Sequence, residues 1–223
     1  AEQKAAIQAG TFDGLFLGDY WEISGVKWRI ADFDYWYGKG DSEFASHHVV
    51  IVPDSNLTTA AYDTSGMTLN NKGYTGSTVY TTTLPTVKAT VSGIFGSSLL
   101  SHREYLINAW DNTVGPSGGA WTDSTVDLMN EPMVFGSYIY TPIAVTTSNS
   151  LTKRYTNSFS QLALFAVRPN FIYKPDGASE RISYLLRDIC GVSRIVRVTS
   201  YGAPQDATVT VSSYGIRPAF AIG

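Results

Sequence analysis

The 223-residue chain is 43% hydrophobic and 16% charged, which is enough apolar material to bury a core and excludes a disordered chain. Its net charge of -3 leaves no basic footprint for nucleic acid or an anionic membrane, and no apolar run is long enough to span a bilayer. The single cysteine, Cys190, excludes an internal disulfide.

The opening "AEQKAAIQAG" lacks the basic-then-apolar pattern of a secretion signal. It reads as a linker, a helix or a remnant of a longer parent over residues 1–11, with one domain over 12–223. In "DYWEISGVKWRIADF", Ser24-Gly25 is a turn between two strands. Val26, Trp28 and Ile30 share a face, while Phe33, Tyr35 and Tyr37 fall on the other parity. That phase change near Ala31-Asp32 predicts a bulge or a strand end. "HHVVIVPD" is apolar on both parities and predicts a buried central strand stopped at Pro53.

Two helices are expected next. In "LPTVKATVSGIFG", Pro85 suits the first turn, Val87, Val91 and Phe95 line one face, and Gly96 is the stop. In "DSTVDLMNEPMVFG", Ser124 can cap with Asp127 three residues on, Gly136 can close, and Pro132 should bend or end the helix. "QLALFAV" and "SYLLRDI" are short apolar segments, and "ATVTVSS" alternates. The polar stretches 54–79, 111–121, 144–158 and 199–206 read as long loops of the kind that carry function. The chain then closes on "SYGIRPAFAIG", an apolar strand where chain ends usually fray. N- and C-terminal strands paired with each other, two early helices and long loops outline an α+β domain of C-type-lectin-like, mixed character.

Chemistry-bearing residues are sparse. His47 and His48 are adjacent, so on a strand they face opposite ways, and with His102 they form no metal-ligand spacing. No nucleophile elbow or zinc signature is present, so neither a hydrolase centre nor a bound transition metal is expected, and no cofactor is implied. Asp32 and Asp34 share a strand face and suit pairing with Arg29 or Lys27 better than flanking a glycosidic bond. Trp110-Asp111-Asn112 precedes Glu131-Pro132, the reverse of the order a calcium-dependent lectin uses, so Asp111, Asn112 and Asp123 read as loop and cap residues. Arg187 and Arg217 sit in apolar runs and need carboxylates or carbonyls, with Asp188, Asp32 and Asp34 as candidate partners. A ligand-binding arginine is the second reading.

The pieces "GDYWEISGVKWRIADFDYWYGKGD", "HHVVIVPD", "LLSHREYLINA", "DSTVDLMNEPMVFG", "QLALFAV", "YLLRD" and "YGIRPAFAI" resemble a family of bacteriophage structural proteins from phages of anaerobic Gram-positive gut bacteria. The resemblance runs from about Phe12 to Ile222. The closing pair "YLLRD" and "GIRPAF" is also similar to bacterial C-type-lectin-like domains, with Leu185 standing where those carry Trp. It implies a virion component with a lectin-like fold and supplies no ligand.

Between the two closing anchors lies "ICGVSRIVRVTSYGAPQDATVTVSS", small, β-branched and polar. Its position matches the binding face of lectin-like proteins diversified by retroelements; an ordinary hairpin with a loop is the alternative. Ser193, Arg194, Arg197, Ser200, Tyr201, Gln205 and Asp206 are the candidate ligand-binding residues of this segment. Aromatics reach 13%, with Trp21 and Trp28 expected in the core and Trp110 and Trp121 expected to help line the binding face. The expected protein is a non-catalytic virion surface domain that binds a host protein or glycan. The alternative is a structural capsid or tail-fibre cap that touches only other virion proteins. A homo-oligomer, a trimer at the end of a longer fibre, is expected for either.

Overall fold

The computed structural model describes residues 2–65, 72–111, 115–141, 159–175 and 180–223. The expected loop at 144–158 and Asn112 lie outside these. The fold is mixed α+β, mostly strand, built from two sheets and a separate hairpin.

A short helix, α1 (Glu2–Gln8), opens the chain. Its Ile7 is buried in the core, so the segment expected to be a linker docks on the domain. Next come β1 (Tyr20–Ile23) and β2 (Val26–Phe33), paired with Trp21 opposite Trp28. Ser24 and Gly25 both take positive φ, 54° and 75°, the left-handed pair that lets a two-residue turn follow the twist of its strands. β3 (Val49–Pro53) pairs with β2, and Ala31 is the extra residue between the pairs Ile30–Ile51 and Asp32–Val50. The expected bulge is therefore present, and it shifts the parity of β2 so that Trp28 and Ile30 before it and Phe33 after it meet the same core.

β3 explains itself in the same way. Val49 and Ile51 face one apolar cluster and Val50 and Val52 the other, so every residue is buried. The last strand, β13 (Pro218–Ile222), lies on the far side of β3. Its other edge carries β5 (Leu99–Leu100) and β8 (Val126–Leu128) in succession. Both chain ends thus belong to one sheet, but they do not pair directly, because β3 stands between β2 and β13.

The second sheet runs β11 (Pro204–Thr208), β10 (Arg194–Val198), β9 (Tyr184–Gly191), β12 (Tyr214–Ile216), β4 (Thr58–Ala60). "YLLRD" and "GIRPAF" are neighbours only in part. β12 pairs with β9 in parallel through Gly215 and Tyr184, and the chain then leaves for the first sheet as β13. Arg217, fully buried, sits at that crossing. Its Nε donates to the Pro53 carbonyl at 2.7 Å, and Nη1 donates to the carbonyls of Phe171 and Ile172, both at 3.0 Å. The carbonyl reading of Arg217 is the one the structure takes.

Helix α2 (Leu84–Phe95) follows the sequence expectation, with Pro85 in its first turn and Gly96 as stop. The second helix differs. α3 spans only Glu131–Phe135; Asn130 caps it by accepting from Met133 N at 2.9 Å, and Pro132 opens it instead of bending it. Residues 126–128 form β8, because pairing with Pro218–Phe220 buries all three, and Ser124 donates to Asp127 instead of capping. Gly136 closes α3 at φ 83°. A fourth short helix, α4 (Ala163–Val167), carries Leu164 and Phe165 into the second core.

The stretch 115–121 is also not a loop. β6 (His102–Asp111) and β7 (Gly115–Ser124) form the two-stranded ribbon. Gly119 is required there: a Cβ would lie 2.3 Å from the Tyr105 ring that crosses it. Residues 199–203 form a turn, and the strand after it ends at Thr208, two residues into the alternating "ATVTVSS".

Candidate functional site

The nine residues expected to bind ligand do not form one face. Arg194 pairs with Thr208, Val196 with Asp206, and Arg197 with Gln205 across β10 and β11. Alternation therefore sends Arg194 and Asp206 to one side of the hairpin and Arg197 and Gln205 to the other. Arg194 Nη2 meets Asp206 Oδ2 at 3.0 Å. Arg197 Nη1 donates to Ser183 Oγ at 3.1 Å, Nη2 donates to Gln205 Oε1, and the guanidinium lies 4.9 Å from the Tyr214 ring centre. Ser193 and Ser200 are half-buried in the turns that flank β10.

The intervening residues are structural. Ile195, Val196, Val198 and Val209 are fully buried, and Ala207 nearly so. The segment between the anchors is needed for its sheet, contrary to the expectation of a replaceable loop, because β10 is sandwiched between both cores. Along the strands Arg194, Gln205 and Thr208 remain exposed, and so does the tip. Tyr201 is 78% exposed there. It sits beside Arg181, which lies 5.6 Å from the Tyr201 ring and 5.2 Å from Tyr173. The neighbouring Gly202 takes φ 82°, and a Cβ there would strike the Tyr173 ring at 2.4 Å, so the turn rests tightly on the domain body.

Trp110 is 5% exposed and belongs to the core, a correction to its expected place on a loop face. β6 alternates, and its burial pattern puts Trp110 on the inward face with Leu106. Trp121 remains half-buried on β7, edge-on to Tyr105 at 5.5 Å. Trp21, expected in the core, is only half-buried and donates from Nε1 to Gln3 Oε1 at 3.1 Å. Trp28 and Trp36 are buried.

A buried polar centre lies behind β9. Arg187 Nη2 donates to Glu104 Oε2 at 3.1 Å, and Trp36 Nε1 donates to Glu104 Oε1 at 2.9 Å. His102 stacks on Trp36 with ring centres 3.9 Å apart, and His48 stacks on its rim at 5.8 Å. His48 is locked neutral: its Nδ1 donates to the Ser46 carbonyl, and its Nε2 accepts from Trp36 N. Burial holds its imidazole down at about 4. Asp188 accepts from Glu131 N at 2.6 Å. Burial first, and then the Glu131 carboxylate, push Asp188 up to about 8 against the pull of Arg187. Asp127 is also raised by burial. Glu104, not Asp188, Asp32 or Asp34, is thus the carboxylate paired to Arg187. Asp54, just past the end of β3, is the partner of Arg29, so Asp32 and Asp34 are free for other bonds. Asp32 accepts from Ala163 N at 2.9 Å, and Asp34 holds His47 Nδ1 at 2.7 Å.

The three histidines differ in their surroundings. His47, half-buried, stacks flat on Tyr37 at 4.6 Å, while His48 and His102 are inside; contrary to the opposite facing expected of neighbours, His47 and His48 both bring Nδ1 toward the Asp34 carboxylate, at 2.7 and 3.7 Å. Burial, then nearby Asp206, pushes the Cys190 thiol up to about 12, which favours its protonated form. Among the described residues no cluster of three His, Cys, Asp or Glu side chains has metal-binding geometry.

The sequence reading missed one feature. A groove of about 660 Å³ runs between α2, the β1–β2 turn and β4. Thr58, Thr59, Thr82, Thr83, Thr86 and Thr90 rim it, and Trp28, Leu57 and Val87 floor it. The signal was present in "YTTTLPTVKAT", where Thr83, Thr86 and Thr90 recur at helical spacing beside the apolar stripe.

No family model matches the chain, and neither a characterised protein nor a solved structure does.

Proposed function

We propose that this chain is a non-catalytic binding domain of a bacteriophage virion surface, with a C-type-lectin-like fold, that attaches the particle to a host-cell or mucosal protein or glycan. One observation carries the reading: a hairpin locked into two cores presents a large aromatic side chain, Tyr201, 78% exposed at its tip. A rigid scaffold that displays an aromatic gives contact area with little ordering entropy to lose. The two closing motifs bracket this hairpin, the layout of binding faces that retroelements diversify. The diversified positions on this reading are those whose side chains leave both cores, Arg194, Ser200, Tyr201, Gln205 and Asp206. The domain works as a homotrimer at the end of a fibre.

A second reading, a cap or decoration that binds only virion proteins, is favoured by a different observation. Phe16 and Val167 are 68% and 66% exposed, large apolar groups of the kind that pack against a neighbouring subunit.

Fluorescently labelled domain incubated with Gram-positive gut bacteria and with mucin separates the two. On the binding reading, wild-type protein decorates one of these surfaces and Tyr201→Ala loses at least tenfold in affinity with its melting temperature unchanged. Unchanged attachment by Tyr201→Ala moves the site elsewhere, and labelling of virion proteins alone selects the cap. Light scattering that finds a monomer removes the trimer.

A further inference from the structure

We infer that the threonine-rimmed groove between α2 and β4 binds an extended, uncharged peptide strand of a protein partner, which adds to the edge of β4. Three independent features point there. First, β4 closes one end of the second sheet: its residues pair with Tyr214–Ile216 on one side, and among the described residues no strand covers the other. A strand edge of this kind offers main-chain donors and acceptors that another backbone can satisfy in register. Thr58–Ala60 carries no lysine, proline or inward charge to blunt the edge, and its three residues set the length of the ladder that a partner strand can form.

Second, the opposite wall is one stripe of α2. Thr83, Thr86, Thr90 and Ile94 recur at helical spacing, and the first of these ends a π-helical turn, Val79–Thr83. A π-helical turn is a rare irregularity that concentrates at functional sites, and this one sets Thr82 and Thr83 into the groove wall. Third, the lining chemistry selects the occupant. No Asp, Glu, Lys, Arg or His lines the groove among the described residues, so a charged side chain entering it would lose water without gaining a partner. Apolar floor and hydroxyl rim suit alternating apolar and small polar side chains, the period-two pattern of a strand. The volume, about 660 Å³, lies within the range of formed ligand sites. This site is separate from the Tyr201 tip and does not depend on it.

The test uses the whole chain, labelled with 15N, and an acetylated, amidated hexapeptide that alternates threonine and valine. Its controls are the same peptide with every backbone amide N-methylated, which blocks both edges of the strand, and maltotriose. The expected result is saturable shifts at residues 57–60 and 83–90 with the plain peptide and none with the N-methylated one, which cannot form a ladder. Thr59→Pro and Thr86→Lys should each weaken that binding at least tenfold while the remaining amide spectrum stays that of the wild type. No shift with the plain peptide, equal shifts with the N-methylated peptide, or shifts with maltotriose alone would each overturn the proposal. The peptide controls need no variant, so a poorly folded Thr59→Pro does not blunt the test.

Discussion

Two buried arginines are held in opposite ways. Arg217, at the crossing between the sheets, is ringed by carbonyls of Pro53, Phe171 and Ile172, and among the described residues no ion pair includes it. Arg187, one sheet away, sits among the carboxylates of Glu104, Asp127 and Asp188. The difference is that between a fixed joint and a titrating centre. Carbonyls have no proton to exchange, so the Arg217 joint is indifferent to pH. The Arg187 centre holds more carboxylates than one guanidinium can offset, so part of it is kept protonated near neutrality.

The largest effect should come from breaking the fixed joint. Arg217→Met leaves three buried carbonyls without their donor, at about 1–3 kcal/mol each, and should cost about 3–5 kcal/mol in urea unfolding at any pH from 5 to 9. A cost that varies strongly over that range would erase the contrast.

Glu104→Gln tests the other arginine. It removes the charge paired to Arg187 but leaves Asp127 and Asp188 nearby, so the expected loss is smaller, about 2–3 kcal/mol. The loss should grow as pH falls, because the remaining carboxylates protonate. A loss as large as that of Arg217→Met would mean that the centre depends on the single pair.

Asp188→Asn sharpens the pH contrast. The folded-state carboxyl lies near 8, raised above its unfolded value of about 3.9. Between those values the unfolded chain has released a proton that the folded chain keeps, so the stabilisation present below about pH 4 fades as pH rises toward 8. His48 acts with the opposite sign. Its folded value of about 4 lies below the unfolded 6.5, so its contribution is complete above about pH 6.5 and is lost as pH falls through 4. The two slopes oppose each other between 4 and 6.5, and Asp188 alone remains above. Wild-type stability should therefore decline from about pH 6.5 to 8. Asp188→Asn should flatten that decline and gain on the order of 2 kcal/mol at pH 8. Chemical denaturation across the pH range reads both.

The smallest effect belongs to the hairpin tip. Tyr201→Ala should change stability by less than about 0.5 kcal/mol, because little of its side chain is buried. Arg197→Ala should cost more, about 1 kcal/mol, since it releases Ser183 and Gln205. Equal melting temperatures for the two variants would show that the whole segment is as replaceable as its composition suggests.

Much of the local structure was legible in the chain. Ser24-Gly25 announced a hairpin, the parity shift at Ala31-Asp32 announced a bulge, and "VVIVP" announced a strand with two buried faces. Gly96 and Gly136 marked two helix ends. The site was less legible. Seven of the nine expected residues do lie on the β10–β11 hairpin or its turns, but they divide between its two sides and its tip and form no single face. Trp110 was placed outside because it borders a glycine-rich stretch, and that stretch is a strand that turns Trp110 inward. The threonine groove was overlooked because its rim comes from α2 and β4, which share no sequence pattern.

What the sequence by itself determined is periodicity and punctuation: which residues share a face, and where the chain must turn. Those follow from local sterics and hold wherever the segment ends up. What only the tertiary structure decided is which face meets what. Arg217 crosses from one sheet to the other, residues 126–128 become strand through pairing with β13, and β10 is buried on both sides. Each of these joins segments far apart in the chain, and the free energy of burial that selects such pairings belongs to the assembled core and not to any one segment.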